Sequence, residues 1–380
     1  MTTLGFQTDA KYGIPEDVRK TILRSGGTKR PVFCLIINPD EDVRGVDLLL
    51  RPGGAPAPYV TPIGRPWWPS EPDKRLVYQG ARGAQPYWDM LAPRAAKVPD
   101  IKLWTSPNEP AIDAGVNMPQ SAANAKAVAA FLGEWFHILE DNGLHGVGPN
   151  FGTGHGYVYL WDYFMGIDWS QHYLGLHAYG MRTMDLEFYL NQWHLLRHEA
   201  IFARWHSKGI NLPRTIITET GIDWAGNAAQ DGWQYSKQRW TGENWEGPSL
   251  TEEEYLQGLR NFALRVKANA PEIIGILPFI VRHPYWPGFE FTDKLLAIYA
   301  DFLQNDNAKA VFMPEDEPIM GVGMLADKVR WHTEQAVREL RDAGMHDQSL
   351  PMRRLHSLVS LERGLLYRLE RAMKSGQPNG

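Results

Sequence analysis

The chain has 380 residues, 43% of them hydrophobic and 22% charged, with 39 Lys and Arg against 44 Asp and Glu for a formal net charge of −5. That is enough material for a full core, in one large domain or two ordinary ones. The small negative charge and the lack of a long basic run before the C-terminal region speak against a phosphate backbone as ligand, so no nucleic-acid partner is expected.

Fifteen Trp, 15 Tyr and 14 Phe make up 12% of the sequence, more aromatic surface than a core alone needs, and several fall in segments that read as loops. Cys34 is the single cysteine and sits inside an apolar run, so no intrachain disulfide can form and a small buried core residue is the natural reading. The opening MTTLGFQTDA has neither a basic n-region nor an apolar h-region, and no apolar run is long enough to span a bilayer. A soluble chain without a membrane partner is expected, cytoplasmic or released by a non-classical route.

Short apolar runs alternate with longer amphipathic segments, the signature of repeated βα units around a parallel sheet. Strand 1 is predicted at residues 4–8 (LGFQT) with a helix at 15–24, and strand 2 at 31–38 (PVFCLIIN) with a helix at 42–50. Strand 3, at 59–64 (YVTPIG), is made irregular by its prolines and leads to Arg65, Trp67, Trp68 and a helix near 85–96. Strand 4, at 101–104, runs into Asn108, Glu109 and Pro110 before a helix at 122–142. Strand 5, at 146–150, opens into a glycine-rich 152–156. Strand 6, at 173–179 (YLGLHAY), precedes a long helix at 186–208, and strand 7, at 215–218, ends at Glu219. The connection over 222–248 is long for a compact domain and, with Trp224, Trp233, Tyr235, Trp240 and Trp245, too aromatic for disorder. A helix at 251–268, strand 8 at 273–281 (IIGILPFIV) and a helix at 292–305 complete the series.

Eight βα units predict a (β/α)8 TIM barrel over residues 1–307. A doubly wound open sheet would want a glycine-rich phosphate turn after strand 1, and none is present; the 152–156 stretch lacks both the P-loop ending and the dinucleotide spacing and reads as a flexible rim loop. Residues 308–380 read as a linker and C-terminal helical extension, with two amphipathic helices inside 325–374. Packing on the barrel is their default; self-association or attachment to another module is the alternative.

Two stretches carry the chemistry, WTSPNEP at 104–110 and TIITETG at 215–221. Each is an apolar run ending in a carboxylate with Pro or Gly close behind. In a TIM barrel, side chains at the C-terminal ends of different strands converge on one pocket, which selects Glu109 and Glu219. Two such carboxyl groups can protonate a leaving oxygen and attack, or activate water, which is what glycoside hydrolysis requires.

Trp104 with Asn108-Glu109-Pro110, Leu176-His177-Ala178-Tyr179, and Thr218-Glu219-Thr220-Gly221 together resemble glycoside hydrolase clan A, barrels with the acid/base after strand 4 and the nucleophile after strand 7. The resemblance leaves the C-terminal helices outside. It implies a retaining hydrolase of β-linked glycosides with Glu219 as nucleophile and Glu109 as acid/base, the latter with a raised pKa in the empty site. It further implies Tyr179 and Arg65 as the groups that keep Glu219 ionised, Asn108 as donor to the sugar 2-hydroxyl, and His177 as part of the sugar pocket. Such barrels often place the supporting arginine around strand 2, whereas Arg65 follows strand 3 here. They also tend to end strand 8 in a Trp, where this chain has Phe279 and, later, Trp286.

Trp67, Trp68, Trp224 and Trp286 in strand-end loops suit the apolar faces of sugars, and at least two of them are expected in the cleft. His155 and His283, near strand ends, read at least as well as solvated loop residues. His194 and His198, spaced i,i+4 without the Glu of a zinc-protease motif, read as surface residues. No cluster has convincing ligand spacing, so neither a catalytic metal nor a cofactor is expected. The rival readings are a non-catalytic carbohydrate-binding barrel, with one carboxylate displaced or tied up in a salt bridge; a metal-dependent hydrolase; and a lytic glycosidase acting on peptidoglycan or a surface polysaccharide.

Overall fold

The computed structural model describes residues 2–25, 32–57, 59–68, 71–113, 117–153, 156–181, 183–186, 188–223, 232–235, 237–240, 245–281 and 283–308. The main sheet is parallel, and each strand in it pairs with its neighbours in chain order: Val32–Ile37, Val60–Arg65, Leu103–Thr105, His145–Phe151, Tyr173–Met181, Thr215–Asp223 and Ile273–Pro278 as strands 2 to 8; Lys237–Trp240 and Trp245–Ser249 pair separately as an antiparallel hairpin. Strand 1 comes in two pieces. Thr3–Leu4 pairs with strand 8 and Phe6–Asp9 with strand 2, so the sheet closes on itself as the expected (β/α)8 TIM barrel.

Gly5 is the hinge of that closure. Its N–H donates to the Ile276 carbonyl at 2.8 Å, and a Cβ there would lie 2.3 Å from the Phe33 carbonyl oxygen and 2.5 Å from Leu277 Cδ2. Only glycine lets strand 1 pass between strands 2 and 8 at this point.

Strand 2 shows why these runs become staves. All six residues of VFCLII are buried, and successive side chains face opposite sides. Phe33, Leu35 and Ile37 join Ile63, Leu103, Val147, Ile216 and Leu277 inside the barrel. Val32, Cys34 and Ile36 face outward into the larger core under the helices. Burial pushes the Cys34 thiol up to about 12, in keeping with an inert core residue.

The helices around the barrel include Glu16–Ser25, Val43–Leu50, Ala84–Ala95, Met118–Asp141, Arg197–Ser207, Glu252–Asn269 and Asp293–Ala308. Asp42 caps the second of these through Gly45 N–H, and Thr251 with Glu254 forms a capping box on the sixth. Among the described residues, no helix is long and apolar enough to cross a membrane.

Of the predicted elements that differ, three have a local cause. Strand 3 is regular from Val60 to Arg65 despite Pro62, because the ladder with strand 4 begins only after it, at Ile63 opposite Leu103. The helix predicted from 186 starts at Arg197. Before it, the Asn191 side chain accepts from Met181 N–H at 2.7 Å and donates to the carbonyls of Thr183 and Asp185 at 2.8 and 2.7 Å, holding that stretch in turns around a short 3-10 helix, Tyr189–Gln192, rather than in an α-helix. Strand 7 does not stop at Glu219 but continues to Asp223, pairing with strand 6 out to Met181. The predicted helices within 325–374, and with them the 308–380 extension beyond its first residue, lie outside the described residues.

Candidate active site

Glu109 and Glu219 reach one place from strands 4 and 7. Past Thr105 the chain turns so that Ser106 N–H donates to the Val147 carbonyl at 2.9 Å and Glu109 N–H to the Asn150 carbonyl at 3.1 Å. Glu109 sits at φ +47°, in the left-handed region that non-glycine residues rarely occupy and that clusters at functional sites. Asn150, itself at φ +53°, stitches the ends of three strands: its amide donates to Ser106 Oγ and the Val147 carbonyl at 3.2 and 2.8 Å, and its oxygen accepts from Thr218 Oγ1 at 2.8 Å. Thr218, directly before Glu219, and Ser106, three residues before Glu109, are thereby tied to one another.

Glu219 is only 5% exposed. Its Oε1 is paired with the Arg65 guanidinium, and its Oε2 accepts from the Tyr179 hydroxyl at 2.8 Å. Arg65 is the last residue of strand 3, so the supporting arginine does come from that strand. Burial alone would lower the Arg65 pKa, but the Glu219 charge and hydrogen bond, followed by Glu109, raise it; this cation stays charged. Burial, then the Glu219 charge, pushes the Tyr179 phenol well above its usual value, so it remains a donor.

His177, fully buried on strand 6, places Nδ1 2.9 Å from Glu109 Oε1 and 3.3 Å from Glu219 Oε2. A nitrogen facing two carboxylates must carry its proton toward them. Burial raises the Glu109 pKa, but the hydrogen bond and charge of His177, then Arg65 and Lys74, outweigh it and bring it down to about 2. This corrects the expectation of a raised pKa: in the empty site the hydrogen bond from His177 favours the carboxylate.

A carboxylate oxygen of Glu109 lies within 4.8 Å of one of Glu219, with a ring nitrogen of His177 within the same span of both. Three such groups are also the right types to hold a cation. Here, however, both Glu219 oxygens are already engaged, one by a guanidinium, and a metal ion would have to displace or repel that fixed charge.

Asn108 is half-buried beside Glu109, with its Oδ1 buried and without a protein partner, and His177 Nε2 is in the same condition. Of the four candidate tryptophans, Trp67 and Trp286 are 40% and 37% exposed at strand ends. Trp286 packs on Phe279 at 5.0 Å, and Phe279 meets the Tyr179 ring at 6.4 Å. Trp68 instead packs edge-on against buried Tyr87 at 5.6 Å, a core contact, and Trp224 and His155 lie outside the described residues. Trp233 is buried and stacked on Tyr255 at 5.1 Å, pinning part of the long aromatic connection. His198 is fully buried rather than on the surface, and burial lowers its pKa to about 4.

Sequence reasoning missed several supporting groups. Gln7, buried on strand 1, fits with its amide oxygen 3.3 Å from Arg65 Nη1 and its nitrogen 3.3 Å from the Thr218 carbonyl, an orientation assigned from its neighbours. Asn38, at the end of strand 2, accepts from Trp67 N–H at 3.0 Å and from Arg94 at 2.9 Å. His283 is buried, not solvated, and contacts Asp9 at 3.2 Å. The available signal was a lone polar residue inside or just beyond an apolar run.

No family model and no curated protein sequence matches the chain. Among solved structures it is similar to a GH128 (subgroup I) endo-β-1,3-glucanase from Amycolatopsis mediterranei in complex with laminaritriose, at 12% identity and TM-score 0.43, over 79% of this chain and 99% of that one. It is similar to a glycoside hydrolase family 5 enzyme from Prevotella bryantii B14 at 11% identity and TM-score 0.46, over 79% and 95% of the two chains. A β-mannanase from Thermomonospora fusca in a mannohexaose complex matches at 14% identity and TM-score 0.40, over 75% of this chain and 81% of that one. At these identities and scores no residue role transfers.

Proposed function

We propose that the chain is a retaining glycoside hydrolase acting on β-linked glycans by double displacement, with Glu219 as nucleophile and Glu109 as acid/base. The observation that carries this reading is the approach of the two carboxylates from strands 4 and 7 to within 4.8 Å, oxygen to oxygen. Retaining pairs stand about 5–5.5 Å apart, whereas inverting pairs leave about 6.5–9.5 Å for a water. The β preference comes from the clan A resemblance.

In this reading Glu219 attacks the anomeric carbon while Arg65 and Tyr179 hold it ionised and aimed. Glu109 is a carboxylate in the empty site, so the acid step requires substrate to draw it away from His177. As substrate breaks that hydrogen bond, burial raises the Glu109 pKa and it takes a proton from solvent before the cleft closes, the proton it then delivers to the glycosidic oxygen. In the second step it removes a proton from the water that releases the sugar. Asn108 is placed to hydrogen-bond a sugar hydroxyl.

The test is an activated 2-deoxy-2-fluoro aryl glycoside. Mass spectrometry of the digested chain is expected to find the sugar esterified to Glu219. Glu109→Gln is expected to lose about 10²- to 10⁴-fold in kcat/KM on substrates with poor leaving groups and far less on activated ones. The engagement of both Glu219 oxygens favours one rival, a sugar-binding barrel without catalysis. Sugar affinity with no label on Glu219 and no turnover would install that rival.

A further inference from the structure

The rim of the barrel beside strands 8, 1 and 3 carries a strip of exposed rings that the carboxylate pair does not use. Tyr12, Trp67, Tyr285 and Trp286 are 39%, 40%, 72% and 37% exposed. They are held as one surface. Tyr12 meets the His283 ring at 5.0 Å and Tyr285 at 5.7 Å, and Trp286 stacks on His283 at 3.9 Å. His283 is locked beneath them, with Nε2 3.2 Å from the buried Asp9 carboxylate and Nδ1 accepting from Tyr285 N–H at 3.2 Å. The strip runs into the reaction centre through Phe279, between Trp286 and Tyr179.

In the middle stands Lys11, directly after strand 1. Its ammonium lies 5.6 Å from the Tyr12 ring and 5.7 Å from the Trp67 ring, and no acidic side chain of the described residues pairs with it. Asp9, the nearest acid in sequence, is occupied by Lys11 N–H through Oδ1 and by His283 through Oδ2. Flat rings receive the apolar faces of sugars. An ammonium held between two of them, with no acidic side chain of the described residues paired to it, adds a local positive charge whose best complement on a glycan is a fixed negative one.

We infer that Tyr12, Trp67, Tyr285 and Trp286, with Lys11 between them, form distal subsites for an acidic glycan, one bearing carboxylate or sulfate groups, laid across the barrel mouth. The inference rests on the glycosidase reading and deepens it: the substrate is a charged polymer gripped away from the scissile bond. Bulk electrostatics work against polyanion binding, because the whole chain carries a formal net charge of −5, so the attraction must be local.

The test separates binding from chemistry by using the full chain carrying Glu219→Gln, with Glu109→Gln in its place if that variant does not fold. Affinity electrophoresis compares gels containing carboxymethyl cellulose, hyaluronan or alginate with gels containing uncharged hydroxyethyl cellulose or laminarin. Retention is expected in at least one anionic gel. It should weaken about tenfold with Lys11→Gln, as for loss of one charged hydrogen bond, and should also weaken with Tyr285→Ala and in about 0.5 M NaCl. Lys20→Gln, which removes an exposed lysine paired with Glu16 on the first helix, is expected to change nothing. Retention in none of the gels, equal retention by charged and neutral polymers, or indifference to Lys11→Gln each overturns the inference. Labelling of Glu219 by the fluoro-glycoside reports on the glycosidase reading independently of all three.

Discussion

Glu109 lies under opposing influences, and the sign of each can be tested. Its pKa falls from an ordinary 4.5 to about 2 because His177 and two cations outweigh burial. A carboxyl depressed in the folded state adds stability above its unfolded pKa, and that contribution fades as the pH drops through the folded value. His177→Ala removes the largest lowering influence, so Glu109 is expected to titrate higher in side-chain carbon NMR. The loss of stability between pH 6 and pH 3 is expected to be smaller in that variant than in the wild type; an unchanged Glu109 titration would remove His177 from the account. Arg65→Met leaves the buried Glu219 carboxylate without its ion-pair partner, and a cost of about 3–5 kcal/mol in a urea titration is expected. Glu109 and Glu219 were legible as carboxylates at the ends of apolar runs, whereas Arg65, His177 and Tyr179 were reached through the clan A resemblance. Gln7, Asn38 and Asn150 were not, since what matters about them is a bond to a strand distant in sequence.

At the level of elements, the staves and most helix starts followed from apolar runs and capping residues. The misreadings arose where side chains take over backbone bonds. Asn191 does so ahead of the helix Arg197–Ser207. Strand 7 outruns its apolar stretch because strand 6 continues to pair with it beyond Glu219. Asn150 is the most consequential such residue, joining strands 4, 5 and 7. Asn150→Ala deletes three hydrogen bonds and leaves alanine at φ +53°. A loss of about 2–4 kcal/mol is expected from the two effects together, with kcat/KM falling more than substrate affinity because Ser106 and Thr218, on the segments that carry Glu109 and Glu219, are no longer tied together. Gly5→Ala drives a methyl group against the Phe33 carbonyl, and a cost of about 1–3 kcal/mol is expected, read as a lowered thermal midpoint; a neutral result would mean that strand 1 has room to shift.

At the scale of the whole molecule, the helix Asp293–Ala308 packs on the barrel beside Glu16–Ser25, while strands 1 and 8 join its two ends. A chain ended after residue 308 is therefore expected to unfold cooperatively, at a midpoint close to that of the full chain. A broad, non-cooperative transition would show that the barrel needs the segment that follows.

The split first strand also bears on how the molecule comes into being. Thr3 faces Gly275 and Leu4 faces Ile276, so the first strand of the barrel, once synthesised, awaits a partner more than 270 positions later. At about 5–20 residues per second, that wait lasts on the order of tens of seconds. For all of it the growing sheet has two open margins, Phe6–Asp9 on one side and the newest strand on the other. Open strand edges can template pairing with other chains, so the seam at Gly5, which cannot close before strand 8 is made, is where nascent chains are expected to stick to one another.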